Sequence, residues 1–148
     1  MDKRQQLMSE LMDLCNEITW LNKPELESAL NGFTLNEIEL IEKIALIPNA
    51  NVTKLAAASY MTRGAISKLT KKLIAKNMIE NYQHATNKKE IYFRLTTIGQ
   101  KIHHVHQELH RSFLDRDKEV FKHMTADEFD TIFRFIGRYR HHLKNITE

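Results

Sequence analysis

The chain has 148 residues, of which 42% are hydrophobic and 28% are charged, proportions that are ordinary for a globular protein and exclude a disordered chain. A single cysteine excludes an internal disulfide framework, and no apolar run approaches the roughly eighteen residues of a membrane span, so we expect a cytoplasmic protein with no membrane partner. Only 4 glycines and 2 prolines occur, which favours long uninterrupted helices.

The net charge of +3 is distributed unevenly along the chain. Residues 51–95 contain nine basic and two acidic residues, a net charge of +7, so the remainder sums to −4. Any single lysine cluster is usually a solvated surface. A basic middle segment between acidic flanks instead favours a nucleic-acid-binding surface.

The first third of the chain predicts two amphipathic helices. Apolar residues recur at helical spacing from Leu7 to Leu21, which predicts a long first helix that ends at about Leu21, before Pro24. Thr34 and Glu37 have the spacing of a capping box, so a second helix is predicted to begin there and to end at Pro48.

Residues 51–73 predict two short helices around a tight corner. Thr62 can cap the second of these helices, because its hydroxyl can accept a hydrogen bond from an amide of the first turn. The apolar residues of that helix share one face and its polar residues share the other: Ile66, Leu69 and Leu73 against Gly64, Ser67, Lys68 and Lys71. This pattern is typical of a helix-turn-helix whose exposed face reads DNA.

After Asn77 and Met78 the periodicity changes from helical to alternating. Residues 91–95 alternate apolar and polar side chains, and residues 79–84 can supply an antiparallel partner strand, with a polar, basic turn at 85–89 between them. A hairpin directly after a recognition helix is a wing. Its lysines are expected to lie beside the backbone or the minor groove of DNA.

From Thr96 onward the sequence predicts two long helices. One runs from Thr96 through Phe121, and a second capping box at Thr125 opens the last helix. The first and last helices have no sheet or neighbouring domain to pack against, so a second copy of the chain is predicted to cover them. The predicted fold is mainly α with a small β-hairpin wing. Residues 1–148 form one domain, in which 34–95 are a winged helix-turn-helix and 1–22 and 96–148 are N- and C-terminal dimerisation helices.

This order of elements resembles the MarR family of winged-helix transcriptional regulators over nearly the whole chain. The matching segments are Asn51–Ala56, Met61–Leu69 with Lys72 and Leu73, and Phe93–Thr96 followed by Gly99. The resemblance implies a homodimer with paired recognition helices in successive major grooves of double-stranded DNA. It also implies an effector pocket between the dimerisation and DNA-binding parts, and it assigns DNA contacts to Arg63, Gly64, Ser67 and Lys68.

The wing departs from the family pattern. Many members carry an Asp-x-Arg element there, whereas this chain has Asn87-Lys88-Lys89-Glu90. Lysine lacks the rigid fork of arginine, so we expect this wing to hold phosphate more than it reads sequence. The predicted DNA-binding residues are Thr53, Thr62, Arg63, Gly64, Ala65, Ser67, Lys68, Lys71, Lys72, Asn87, Lys88 and Lys89.

Four histidines, at positions 103, 104, 106 and 110, lie close together in the predicted fifth helix. His106 and His110 share one helical face and match the positions at which zinc-responsive MarR repressors place two histidine ligands. Those proteins add ligands from the second helix and the loop before it, where this chain has Glu39 and Glu27. The resemblance therefore predicts a zinc effector site. The alternative is that the histidines line a helix surface or the pocket of an organic effector.

No arrangement of residues typical of an enzyme stands out. The segment His106–His110 lacks the glutamate directly after the first histidine that zinc proteases require. Cys15 shares the apolar spacing of the first helix and is interpreted as a buried structural residue rather than a redox sensor. The prediction is a sequence-specific DNA-binding transcriptional regulator, a homodimeric repressor released or tuned by a small effector. The alternative is a dimeric protein-interaction module whose basic hairpin binds an acidic partner.

Overall fold

A computed structural model describes residues 2–147 as mostly helical, with one two-stranded antiparallel hairpin. The elements are α1 (Lys3–Ala29), α2 (Leu35–Leu46), α3 (Val52–Ser59), α4 (Arg63–Ala75), β1 (Ile79–His84), β2 (Asn87–Leu95), α5 (Thr97–Arg116), α6 (Lys118–Lys122) and α7 (Ala126–Thr147). They divide into two compact units, one up to Arg111 and one from Ser112 onward. The predicted fold class is confirmed. Over these residues no helix is long and apolar enough to cross a membrane.

The core of the first unit lies between α2, α3, α4 and the hairpin. Its buried side chains come from all of these elements: Leu40, Ile41, Ile44, Leu55, Ile66, Leu73, Ile79 and Phe93. Burying one such side chain contributes about 1.5–3 kcal/mol. Thr70 of α4 is also buried, and its hydroxyl donates to the Ser67 carbonyl at 3.0 Å, which is how a polar residue is accommodated on the apolar face.

The helix starts that the sequence predicted are capped as expected. The Thr34 hydroxyl accepts from the Glu37 amide at 3.2 Å, and the Glu37 carboxylate accepts in return from the Thr34 amide at 3.0 Å. The Thr62 hydroxyl accepts from the Ala65 amide at 3.1 Å, and the second capping box at Thr125 is also formed. Each cap contributes about 1 kcal/mol, and together they determine where the helices begin.

The predicted end of the first helix at Leu21 is wrong, because α1 continues through Pro24 to Ala29. A proline inside a helix costs about 3 kcal/mol, since it removes a hydrogen bond and crowds the preceding turn. Beyond the proline, Leu30 is only 2% exposed, and burying a leucine contributes about 1.5–3 kcal/mol. Packing at the end of α1 thus offsets much of that cost. Glu27 consequently lies in a helix rather than in a loop.

The wing turn is shorter than predicted. His84 pairs with Asn87, so only Ala85 and Thr86 form the turn, and residues 87–89 belong to β2. An irregularity in the strand register between Tyr82 and His84 accommodates the change in pairing. Such irregularities increase the local twist of a hairpin, and side-chain alternation does not reveal them.

The predicted single helix from Thr96 to Phe121 is interrupted at Asp117, which separates α5 from α6. The Arg116 guanidinium donates two hydrogen bonds of 2.9 Å to the Asp117 carboxylate. Aspartate is a weak former of helix interiors, and at the break Asp117 has φ of −95° and ψ of 8°, with no hydrogen bond from its carboxylate to the first turn of α6.

Two helices expose rows of apolar side chains. In α1, Leu7, Leu14 and Ile18 are exposed, and Asn22 is its one buried residue within the described chain. In α7, the exposed residues at helical spacing are Ile132, Phe133, Ile136, Tyr139 and Leu143. The interpretation of Cys15 as buried is wrong for the single chain, where the thiol is exposed, because this face of α1 is left uncovered.

Gly99 is required by a close approach between α5 and the segment that follows α4. A Cβ atom at position 99 would overlap the carbonyl oxygen of Met78 and would lie 3.4 Å from the Cβ of Leu95. At Gly64 of α4, by contrast, a Cβ would meet no atom of residues 2–147 within 4 Å, apart from its own helix backbone and chain neighbours. Packing therefore requires glycine at position 99 and not at position 64.

Gly99→Ala is expected to lower the free energy of unfolding by roughly 1–3 kcal/mol, because the backbone of Met78 must move to admit a methyl group. Gly64→Ala is the matched control. It should leave stability unchanged or raise it by up to about 1 kcal/mol, since alanine favours a helix over glycine. Urea unfolding followed by circular dichroism measures both, and equal stability of Gly99→Ala and the parent would contradict the close approach.

Candidate nucleic-acid interface and effector groove

Helix α4 has one buried face and one solvent face. Ile66 and Leu73 are fully buried, so residues about half a turn away point to solvent. The predicted DNA-binding residues that lie exposed on or beside this helix are Thr53, Thr62, Arg63, Gly64, Lys68, Lys71 and Lys72, while Ala65 and Ser67 are half-buried. The structure thus brings the predicted helix-turn-helix residues onto one accessible surface.

The corner between α3 and α4 depends on a residue that sequence reasoning missed. Tyr60 ends α3 in the left-handed conformation, with φ of 54°, and the Met61 amide donates back to the Ala56 carbonyl at 3.1 Å. A non-glycine residue in this conformation costs about 1–2 kcal/mol. It turns the chain within two residues, so that Thr62 can cap α4 directly. The tyrosine ring itself is exposed.

The wing is fastened to the loop between α2 and α3. The Phe93 amide donates to the Ala50 carbonyl at 2.8 Å, and the Tyr82 hydroxyl donates to the Asn49 side-chain oxygen at 3.2 Å. The same oxygen lies 3.0 Å from His84 Nε2. These contacts hold the hairpin from Phe93 in its middle to His84 beside the turn, and they leave residues 87–89 exposed.

Five lysines of this surface direct their charge to solvent. No carboxylate within residues 2–147 forms an ion pair with Lys68, Lys71, Lys72, Lys88 or Lys89. Of the two acidic residues in the basic segment, Glu80 forms an ion pair with Arg94, in which Arg94 Nε lies 2.9 Å from Glu80 Oε1. The surface is therefore a field of uncompensated positive charge, which attracts a polyanion.

The C-terminal end of α4 is tied to the start of α2 by an ion pair that sequence reasoning missed, in which Glu37 is buried and the Lys76 side chain is 38% exposed. Lys76 Nζ donates to the Glu37 oxygens at 2.8 and 3.1 Å and to the Gly32 carbonyl at 2.8 Å, and it lies 5.0 Å from the centre of the Phe33 ring. Glu37 is 2% exposed. Burial raises the pKa of Glu37, but the hydrogen bonds from Lys76 and Thr34 together lower it by more than burial raises it. The pKa of Glu37 therefore lies below its ordinary value.

The first unit contains an open groove of about 780 Å³. Its apolar lining includes Ile18 and Leu26 of α1, Phe33, and Ile38 of α2. The four predicted metal-site residues all line it: Glu27, Glu39, His106 and His110. The four residues that the resemblance assigns to one metal site thus lie in the wall of the same groove.

His106 and His110 contact each other in the groove wall. Their Nε2 atoms are 2.8 Å apart, a distance at which one ring donates an N–H to the other. Burial and the neighbouring His110 lower the pKa of His106, while Glu42 opposes that shift. Within residues 2–147 no three side chains of the metal-binding types come close enough to hold an ion. Glu27 instead lies 3.7 Å from Lys23, so the four-residue zinc site stays a prediction.

The sequence model of the MarR family matches residues 33–91, from the loop before α2 into β2. An uncharacterized HTH-type transcriptional regulator of Bacillus subtilis (strain 168), YvnA, is 29% identical over 105 residues, which are 71% of this chain and 67% of that protein. Over residues 33–91 the chain is similar to the MarR family. The relatives that it matches are transcriptional regulators rather than enzymes.

Solved MarR-type structures share the fold of this chain. Streptococcus pneumoniae FabT in complex with DNA has a TM-score of 0.82 at 17% identity, covering 97% of this chain and 99% of that one. Staphylococcus aureus MarR in complex with salicylate and kanamycin has a TM-score of 0.76 at 13% identity, covering 96% and 93%. Identities this low establish the common fold and leave the ligands of this chain to be argued from its own residues.

The burial of His106 makes the stability of the protein depend on pH. Because the pKa of His106 lies below its unfolded value of 6.5, the unfolded chain binds more protons as the pH falls through that value. The contribution of His106 is complete above about pH 6.5 and is lost on acidification below it.

We expect the free energy of unfolding to fall between about pH 7.5 and about pH 5.5, and His106→Gln to reduce that fall. His104→Gln, on the exposed side of the same helix, is the control and should keep the parent's pH dependence. Urea unfolding at each pH measures the effect. An equal fall in the free energy of unfolding in all three proteins would show that the buried His106 ring is not its cause.

Proposed function

We propose that this chain is a MarR family regulator, a homodimeric, sequence-specific DNA-binding repressor whose DNA affinity is tuned by an effector in the groove. The observation that carries the proposal is the solvent face of α4, where Arg63 and Gly64 are followed by exposed lysines that have no carboxylate partner within residues 2–147. A helix with one buried face and one cationic face fits the major groove of B-DNA. A transcriptional regulator of this kind acts on the chromosome, in the cytoplasm.

The residues of this surface have two roles in the proposal. Arg63 begins α4, and the N-terminal residues of a recognition helix are those that reach base edges, where arginine pairs with guanine. Gly64 lets the backbone approach the duplex closely. Lys71 and Lys72, together with the wing lysines, hold phosphates, which fixes register and orientation without reading sequence.

The alternative of a module that binds an acidic protein partner is less well supported. Such a module would need only the basic hairpin, whereas here the unpaired cations extend over α4 as well. FabT, whose fold matches this chain almost end to end, was captured with DNA. Both observations favour a duplex as the polyanion.

The dimer is supported by the apolar surfaces that the single chain leaves uncovered. Along α7, Ile132, Ile136 and Leu143 are each 45–49% exposed and share one face. Contiguous exposed apolar surface of this kind marks an interaction site. A second copy satisfies it, and it also supplies the second recognition helix that a two-fold operator requires.

The groove supports an effector role by its size, its lining and its neighbours. A volume of about 780 Å³ lies within the range of roughly 300–1,000 Å³ that small-molecule sites occupy. Staphylococcus aureus MarR was crystallised with salicylate and kanamycin, so one member of this fold accepts small organic molecules. In this chain, Phe33 and Thr34 both line the groove and contact the ion pair at the end of α4.

Zinc is the second effector hypothesis, and the histidine contact favours it. A divalent ion can replace the proton held between His106 and His110, provided that Glu39 or Glu27 moves in to complete the shell. Carboxylates without a cysteine make a weaker site for a soft metal. The apolar lining around the pair favours an organic effector.

Arg63→Ala is expected to weaken binding to the preferred duplex, selected from a random pool by the parent protein, by about tenfold to a hundredfold. Loss of a base-reading arginine costs roughly 1–3 kcal/mol. Lys68→Ala should lower the slope of log affinity against log salt by about 0.9. Fluorescence anisotropy over a salt series measures both.

Lys3→Ala, an exposed cation at the start of α1, is the control and should bind like the parent. The folded state should survive each change, because these side chains form no ion pair within the part of the chain that the structure describes. Two results together would contradict the assigned DNA surface: the parent selects no preferred duplex, and Arg63→Ala binds duplex DNA as tightly as the parent. The alternative of an acidic protein partner would then stand.

Ile136→Asp is expected to convert the dimer to monomer at micromolar concentration, raising the dissociation constant by about a hundredfold or more, because it buries an unpaired charge in the apolar contact. Arg138→Asp places the same charge roughly on the opposite face of α7 and should leave the dimer intact. Sedimentation velocity distinguishes the two, and a monomeric parent would contradict the proposed assembly.

A further inference from the structure

We infer that Lys76 and Glu37 are positioning residues for sequence-specific DNA binding: their ion pair holds the C-terminal end of α4 against α2, so that the reading face stays aligned with the base edges. The inference rests on the proposed function of α4 as the recognition helix. It assigns to Lys76 a different task from that of the other lysines of the basic segment, because its ammonium group is directed inward.

Every donor of the Lys76 ammonium group is used within the protein. An ammonium has three N–H groups, and Nζ makes three hydrogen bonds, to the Gly32 carbonyl and to the two oxygens of Glu37, at 2.8–3.1 Å. The Phe33 ring lies beside it at 5.0 Å. A lysine with this complement of partners has no donor left for a phosphate.

The Glu37 carboxylate depends on Lys76 for its charge compensation. It is 2% exposed, and besides the ammonium it accepts one hydrogen bond from the Thr34 amide. Removing Lys76 leaves the buried charge of Glu37 unpaired, which is strongly unfavourable. The pair therefore maintains the distance between α2 and the end of α4 more firmly than an exposed ion pair would.

A small tilt of α4 is enough to disturb base reading. The helix has 13 residues and is about 20 Å long at 1.5 Å per residue. A tilt of about 10° about the buried middle of the helix, between Ile66 and Leu73, displaces both ends in opposite directions by about 1.7 Å, which is about half of the 3.4 Å step between base pairs. Hydrogen bonds to base edges do not survive such a displacement, whereas attraction to phosphates does. Loss of the tether should therefore reduce specific binding selectively.

Glu37→Gln gives the sharpest test, because it removes a negative charge from a protein that binds a polyanion. General electrostatics predicts that it strengthens binding or leaves it unchanged. The tether predicts the opposite for the selected duplex, since glutamine cannot hold the ammonium group as a charged partner. Lys76→Met removes the other partner while retaining most of the apolar stem.

The experiment compares the full-length parent with Glu37→Gln, Lys76→Met, the double variant and Lys76→Arg, each on the selected duplex and on a random duplex of equal length over a salt series. Glu80→Gln is the matched control, because it breaks the exposed Arg94–Glu80 pair and changes the net charge equally. Circular dichroism well below each unfolding midpoint establishes that every variant is folded.

We expect Glu37→Gln and Lys76→Met to weaken binding to the selected duplex by about tenfold or more, the scale of one lost base contact, and binding to the random duplex by less than about threefold. Glu37→Gln should keep the parent's salt slope. The double variant should resemble the weaker single variant rather than multiply the two losses, because both act through one contact. Lys76→Arg, which keeps the cation, should recover most of the specific affinity, and Glu80→Gln should match the parent.

Parent-like binding of Glu37→Gln to the selected duplex would overturn the inference and leave the proposed function intact. Equal losses on both duplexes would also overturn it, since they would indicate general destabilisation of the reading head. A reduced salt slope for Lys76→Met with a normal Glu37→Gln would show that Lys76 contacts phosphate instead. If the parent itself prefers no duplex sequence, the proposed function fails and the inference fails with it.

Discussion

The burial of one face of α4 is the contact on which the rest of the DNA-binding unit depends. Ile66 and Leu73 are fully buried against α2, α3 and the hairpin, and their burial determines the rotation of the helix about its axis. With this rotation of α4, the side chains of Arg63 and Lys68 are exposed to solvent. The same core contains Ile79 and Phe93, so the position of the wing follows from the packing that orients the recognition helix.

Apolar packing determines the rotation of α4, and polar contacts determine its tilt and its ends. Thr62 caps the N-terminal end, and Lys76 ties the C-terminal end to Glu37. Beyond that end, the Thr96 hydroxyl donates to the Asn77 carbonyl, and Gly99 allows α5 to approach Met78. The exposed Arg94–Glu80 pair has similar geometry but contributes roughly 0–1 kcal/mol, because water screens both charges. Burial, rather than distance, makes the Lys76 pair the important one.

The groove and the end of the recognition helix share part of their structure, which gives regulation a physical route. Phe33 and Thr34 form part of the groove wall, and they are also neighbours of the Lys76 and Glu37 side chains. An effector changes DNA affinity only if it binds the DNA-binding conformation of the protein and an alternative conformation with different affinity. In the proposed function, a ligand that displaced this wall would meet that condition by moving the neighbouring acceptors of Lys76, which are Gly32 and Glu37. The contact between His106 and His110 supplies polar groups in a groove whose lining is partly apolar.

The amino-acid sequence by itself determined the features that depend on neighbours three or four residues apart. Capping boxes at Thr34 and Thr125, the cap at Thr62 and the buried stripe of α4 all follow from local hydrogen bonds and side-chain periodicity, and they were predictable together with the basic surface. The alternation in residues 91–95 predicted the strand β2, but Ile91 is 48% exposed and Phe93 is the residue of this segment that is buried. Tertiary structure decided the rest. Pro24 is tolerated inside α1, in a helix that leads to the buried Leu30, and Cys15 is exposed because no other element of residues 2–147 covers that face. The Lys76–Glu37 tether joins residues 39 positions apart, a separation at which no local pattern indicates a contact. Such features depend on which surfaces meet when the helices pack, and periodicity along one helix does not specify its partner.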